Sequence, residues 1–154
     1  MTRQSTITLA TALLALIVVW ADTALAQMAV GNWVRTDKQG IGITLTVESC
    51  CNGGLRLTYH IPGMGGQPAA TMLVASPLDG TAVPVIVDGK DSGETMAIKR
   101  IDATHMSATM TMNGKLFGTS STTLSADGKS ATTESTMHGP SGPGQKIVET
   151  WVRK

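Results

Sequence analysis

Two adjacent cysteines, Cys50-Cys51 in the stretch SCCNGG, are the first candidates for chemistry in this sequence. Such a pair could hold a soft metal or cycle between thiols and a disulfide, and it could equally be the tip of a hairpin. Neighbouring Cα atoms lie about 3.8 Å apart across a trans peptide, whereas ordinary disulfides span roughly 4.4 to 6.8 Å. A bridge between these two therefore calls for a distorted or cis peptide, which leaves the pair strained, free or intermolecular. A second candidate is His105 with Met106, Met110 and Met112, because imidazole and thioether ligands suit Cu(I). Strand alternation turns His105 away from the three methionines, and methionine at alternate positions is also what adaptable core packing looks like. No metal ligand set and no cofactor is therefore assigned. Hydrolytic chemistry has no visible carrier. His60, His105 and His138 are far apart in sequence, Ser and Thr are too frequent for any pairing with His to be informative, and no paired carboxylates stand out. The reading is of a protein that is not an enzyme. The loop PGMGGQP, Pro62 to Pro68, has glycines that could cradle an anion, but no amphipathic helix follows to offer its N-terminus.

The elements that must position these residues are strands. From Glu94 to Met137 the chain alternates between two faces, with Asn113-Gly114 and Asp127-Gly128 as hairpin turns whose residues accept positive φ. Met106, Ala108, Met110 and Met112 share the buried face of one strand. A two-residue turn at Asn113-Gly114 sets Met110 against Phe117 and adds Thr119, Ser121 and Thr123 to the inner face. A three-residue second loop ending at Gly128 then sets Phe117 against Met137 and Thr123 against Ala131, with Glu134 in water. Exchanging the two turn types leaves the last strand unchanged but puts Leu116 and Leu124 inside instead of Phe117. Both registers stay open. Upstream, Ile41, Ile43, Leu45 and Val47 alternate with polar residues, and so do Leu55, Leu57, Tyr59 and Ile61, which predicts a hairpin. Pro84 lacks a backbone donor, which confines its strand to an edge, a bulge or a loosely paired gap. The total is an all-β antiparallel up-and-down meander of about eight to ten strands, enough to curl and close into a barrel.

Residues 1–26 read as a secretory signal peptide: Arg3, an apolar run from Ile7 to Trp20, and Ala24-Leu25-Ala26 before Gln27. Export to the periplasm or the exterior follows, with no membrane attachment after cleavage. Residues 27–154 then form a single domain. The formal net charge is +1, and removing one Arg and one Asp with the leader does not change it. No basic patch appears, and the aromatics left are Trp33, Tyr59, Phe117 and Trp151, so nucleic-acid binding is disfavoured.

Gly31-Asn32-Trp33 resembles the Gly-x-Trp entry strand of lipocalins and fatty-acid-binding proteins, and Glu149 to Lys154 (ETWVRK) resembles the closing strand of the latter. DGKD at Asp88, KRIDA at Lys99, NGK at Asn113 and SADGKS at Ser125 resemble a group of small exported bacterial lipocalin-like (calycin-like) proteins of unknown function. The resemblance implies a lipocalin-like barrel. Thr150 stands where fatty-acid-binding proteins carry a carboxylate-binding arginine. A barrel of this size can enclose a small apolar or amphipathic ligand, and the residues expected to contact it are Leu57, Tyr59, Met106, Met110, Phe117 and Met137, with hydroxyls from Thr119 and Ser121. The other readings are a non-catalytic interaction module of inhibitor type and a periplasmic Cu(I) protein using the Met/His strand. Sequencing the N-terminus of the protein recovered from an expressing bacterium should give Gln27 as the first residue; recovery of Met1 or Thr2 would rule out the leader.

Overall fold

The structure, a computed structural model, describes residues 29–139 and 144–154. The expected leader lies outside the described residues. Among the described residues ten strands follow one another: β1 Gly31–Arg35, β2 Thr44–Cys50, β3 Gly54–Ile61, β4 Ala70–Ser76, β5 Asp79–Val87, β6 Lys90–Arg100, β7 His105–Met112, β8 Lys115–Leu124, β9 Ser130–Met137 and β10 Gln145–Arg153. Each pairs antiparallel with the next, and β10 returns to β1, so the sheet is a closed barrel. The expected all-β meander is therefore present, and its architecture is compatible with a calycin-like barrel.

Alternation explains which side chains fill it. On β2 and β3, Leu45 and Val47 pair with Tyr59 and Leu57 on the inner face, while Glu48 and Arg56 pair on the outer one. Ile41 departs from the expected strand: it is 69% exposed, because the chain is still turning at Gly40 to Ile43, where Ile43 N–H donates to the Gly40 carbonyl. The Cys50-Cys51 pair takes one of the states left open, a vicinal bridge at a hairpin tip. The two cysteines are joined to each other with Cα atoms 3.8 Å apart, and the described residues contain no cis peptide. Cys51 and Asn52 both have φ of 55°, so the turn is made by a left-handed run that ends in Gly53.

The Asn113-Gly114 turn has positive φ at both residues, 50° and 77°, and sets Met112 against Lys115. The register then shifts. Thr111 pairs with Leu116 but Met110 pairs with Gly118, so Phe117 is an extra residue in a β-bulge. The bulge puts the rest of β8 in the second of the two registers left open by the sequence, with Ser120, Thr122 and Leu124 pointing inward and Thr119, Ser121 and Thr123 exposed, although Leu116 stays outside. Thr119 and Ser121 are thus corrected to the outer face, and Phe117 is not among the residues lining the interior. Gly118 lets Met110 and Met137 close over it: a Cβ there would lie 2.9 Å from both Met110 Cε and Met137 Sδ and would push these side-chain ends aside. The second turn is one residue longer than the three-residue loop of the first register, with Ser125 N–H donating to the Ser130 carbonyl and Leu124 opposite Ala131. The two extra residues cancel, so β9 has the expected parity, with Met137 inside and Glu134 exposed.

Pro84 sits beside a register shift between β5 and β6, and β5 meets β4 only at Met72 with Val87 and Leu73 with Ile86. Both the bulge and the loose gap foreseen for this proline occur. One end of the barrel is closed by Trp33, Val47, Leu55, Leu78, Ile98 and Leu124, all at least 95% buried. Thr123→Lys should leave stability within about 0.5 kcal/mol, whereas Leu124→Ala should cost roughly 2 to 5 kcal/mol. Urea unfolding of the two variants checks the face assignment, and the opposite order would restore the unbulged register.

Candidate ligand cavity

Inside the barrel lies a cavity of about 310 Å³. Its closed end is the buried cluster under the Cys50–Gly53 tip, and its other end carries the loops after β1 and β3. The walls differ. Leu45, Leu57, Ile61 and Met72 make β2 to β4 aliphatic, while β8 and β9 present Ser120, Thr122, Thr133 and Ser135. The hydroxyls of Thr122 and Thr133 satisfy each other at 2.8 Å, which lowers the cost of placing them in an apolar interior. Met72, Met96, Met106, Met110 and Met137 all reach the cavity, giving it an unbranched and adaptable lining.

At the loop end stands a charged cluster. Strand alternation puts Arg35 on the face of Trp33 and Glu149 on the face of Trp151, and both charged side chains line the cavity. Arg35 Nη1 meets Glu149 Oε1 at 2.8 Å, while Nε and Nη2 donate to Asp37 Oδ2 and Oδ1 at 2.6 and 3.1 Å. Asp37 also accepts the backbone N–H groups of Gln39 and Thr150, so it organises the loop after β1 and ties it to β10. Gly40 is required beneath, because a Cβ there would collide with the Arg35 stem. Next to the cluster, Tyr59 and Trp151 meet edge to face with ring centroids 5.9 Å apart.

Electrostatics follow from this packing. The Arg35 hydrogen bond is the main cause holding Asp37 down to about 2, and the Thr150 and Gln39 amides assist. Burial alone would lower Arg35, but the Asp37 hydrogen bond and the Glu149 and Asp37 charges outweigh it, and its pKa is raised. Burial pushes Glu149 up, against the Arg35 charge and the Trp151 indole, with Asp37 adding a smaller increase. Tyr59 is pushed well above the phenolic range by burial and by Glu149, so its hydroxyl stays protonated.

Of the residues expected to contact a ligand, Leu57, Tyr59, Met106, Met110 and Met137 line this cavity together. Phe117, Thr119 and Ser121 do not, for the reason of the β8 bulge; Ser120 and Thr122 occupy the wall in their place. Arg35 and Glu149 were missed. Their signal was present, since Trp33-Val34-Arg35 and Glu149-Thr150-Trp151 each place a charge two residues from a tryptophan that had to face inward. Thr150 instead shares a hydrogen bond with Thr36, their Oγ1 atoms 2.9 Å apart. His105 stands apart from the methionines, its Nδ1 2.8 Å from Asp102 in the turn before β7. Among the described residues no group of three or more His, Cys, Asp or Glu side chains is placed to hold a metal ion.

The sequence matches no known family model and no curated protein.

The shifted carboxyls give a pH prediction with a defined sign. Glu149 binds its proton more tightly when folded than its ordinary value of 4.5 allows, so its contribution becomes more favourable as pH falls from neutral toward that value. Asp37 is the reverse: its contribution is complete above its ordinary 3.8 and is lost as pH falls through about 2. Asp102, held to about 2 chiefly by the Thr104 amide and then by His105, loses its contribution over the same window. Thermal melts should thus hold or rise on acidification to about 4.5 and drop steeply below about 4. Asp37→Asn should flatten part of that drop, and an unchanged profile would remove the assignment.

Proposed function

We propose that this protein is an exported lipocalin-like barrel that holds a small apolar or amphipathic molecule inside its sheet. The observation that carries this reading is the interior itself: about 310 Å³ of space, walled largely by aliphatic and methionine side chains, with charged and hydroxyl groups gathered at particular places. Pockets that hold drug-sized molecules run from roughly 300 to 1,000 Å³ with such a distribution of many apolar and few polar groups. Five methionines suit a site that must adjust to its occupant rather than one that is simply filled. The leader, with its apolar run and small-residue cleavage site, supports export.

Pyrene, a neutral apolar fluorophore whose emission bands report the polarity around it, tests the reading. The purified protein should bind it and shift the band ratio toward the apolar value. Met110→Lys places a charge in the cavity and should abolish that shift, whereas His105→Ala, on the outer side of the same strand, should change affinity by no more than about twofold. Absence of pyrene binding to the native protein, or equal loss in both variants, would overturn the proposal.

A further inference from the structure

We infer that the molecule received by the barrel is an amphiphile with a protonated amine, and that Glu149 at the loop end of the cavity takes that amine. The inference rests on the reading of the cavity as a ligand site and goes on to assign the charge of the ligand.

Three observations lead to it. First, Arg35, the one basic side chain on the cavity wall among the described residues, is already engaged through all three nitrogens: Nε and Nη2 with Asp37, Nη1 with Glu149. One guanidinium between two carboxylates leaves a formal charge of about −1 on the cluster, so an incoming carboxylate would be a third anion around a single cation. Second, the two acids are not equivalent. Asp37 has both oxygens occupied, Oδ1 by Arg35 and Gln39 and Oδ2 by Arg35 and Thr150. Glu149 accepts from Arg35 at Oε1 and from the Trp151 indole, but it lines the cavity and, with about four acceptor sites on a carboxylate, retains capacity that Asp37, with its four donors, does not. The surplus negative charge is therefore the one that faces the ligand. Third, the groups beside Glu149 favour a cation. The Trp151 and Tyr59 rings lie in edge-to-face contact on the same stretch of wall, and a cation is attracted by aromatic faces. The Tyr59 hydroxyl, on the same wall, offers a further oxygen acceptor. An ammonium has three donors and no acceptor, which matches the Glu149 carboxylate; a carboxylate ligand would be repelled by Glu149 and could take only the Tyr59 O–H.

Competition against bound pyrene with three ten-carbon chains that differ only in the head group tests this: decylamine, decanol and decanoate at neutral pH. The native protein should release pyrene at decylamine concentrations about tenfold lower than those of decanol, with decanoate weakest, because a charge-assisted contact is roughly twice as strong as a neutral one and an opposed charge is penalised. In Glu149→Gln the preference for the amine over the alcohol, read as the ratio of the two displacing concentrations in the same variant, should fall from about ten to about one. Equal binding of the three chains, or decanoate as the tightest, would overturn the amine assignment and leave the ligand cavity standing. No pyrene binding at all would overturn the cavity reading and the assignment with it. The comparison of the three chains on native protein decides the matter even if the variant does not fold.

Discussion

Closure of the sheet between β1 and β10 is the constraint on which the rest of the molecule depends. An open sheet of this many strands would expose two rows of unpaired backbone groups, and closing it removes both. The seam is short: Trp33, Val34 and Arg35 pair with Arg153, Val152 and Trp151. It is reinforced from both ends. At the closed end the Arg153 guanidinium lies 5.5 Å from the Trp33 ring centroid and donates to the Val30 carbonyl, while Trp33 donates its indole N–H to Ala29. At the other end Thr36 N–H reaches the Thr150 carbonyl, and Arg35 pairs with Glu149.

The same seam thus supplies the charged groups of the interior. A charge taken out of water is costly unless it is paired and its hydrogen-bonding capacity is met, and the Arg35 side chain is only 10% exposed. Asp37 meets that need without entering the cavity, because the chain turns back directly after β1. Glu149 is thereby the member of the cluster with capacity left over for something else. A structural device for closing the barrel and a polar end for the cavity are one arrangement, and neither could be altered without affecting the other.

The opposite wall shows a second compromise. Gly118 and the Phe117 bulge bring Met110 and Met137 over one point of the sheet, and the shift of register turns a row of hydroxyls inward on β8. Hydroxyls facing an apolar interior need partners, and the Thr122 to Thr133 pair across β8 and β9 supplies one. The cavity is consequently two-sided, aliphatic on β2 to β4 and hydroxylic on β8 and β9, which bears on how an elongated occupant would lie.

Much of this was legible in residues alone. Alternation in β2, β3 and β7, the turn chemistry of Asn113-Gly114 and the missing donor of Pro84 were enough for an all-β antiparallel barrel with Leu57, Tyr59, Met106 and Met110 inside. These are local properties: a period of two and a positive φ are set by a few neighbouring residues. The faces of β8 were not local. They depend on whether one residue is skipped between Met110 and Gly118, and a single extra residue exchanges every inner and outer side chain that follows. The extra residue in the next turn reverses the exchange, so Met137 and Glu134 came out on their expected sides while Thr119 and Ser121 did not. The pairing of Cys50 with Cys51 and the meeting of Arg35, Asp37 and Glu149 were likewise decided only by the folded chain. The first depends on the backbone of one hairpin tip, and the second on a contact between the first and last strands that exists because the barrel closes.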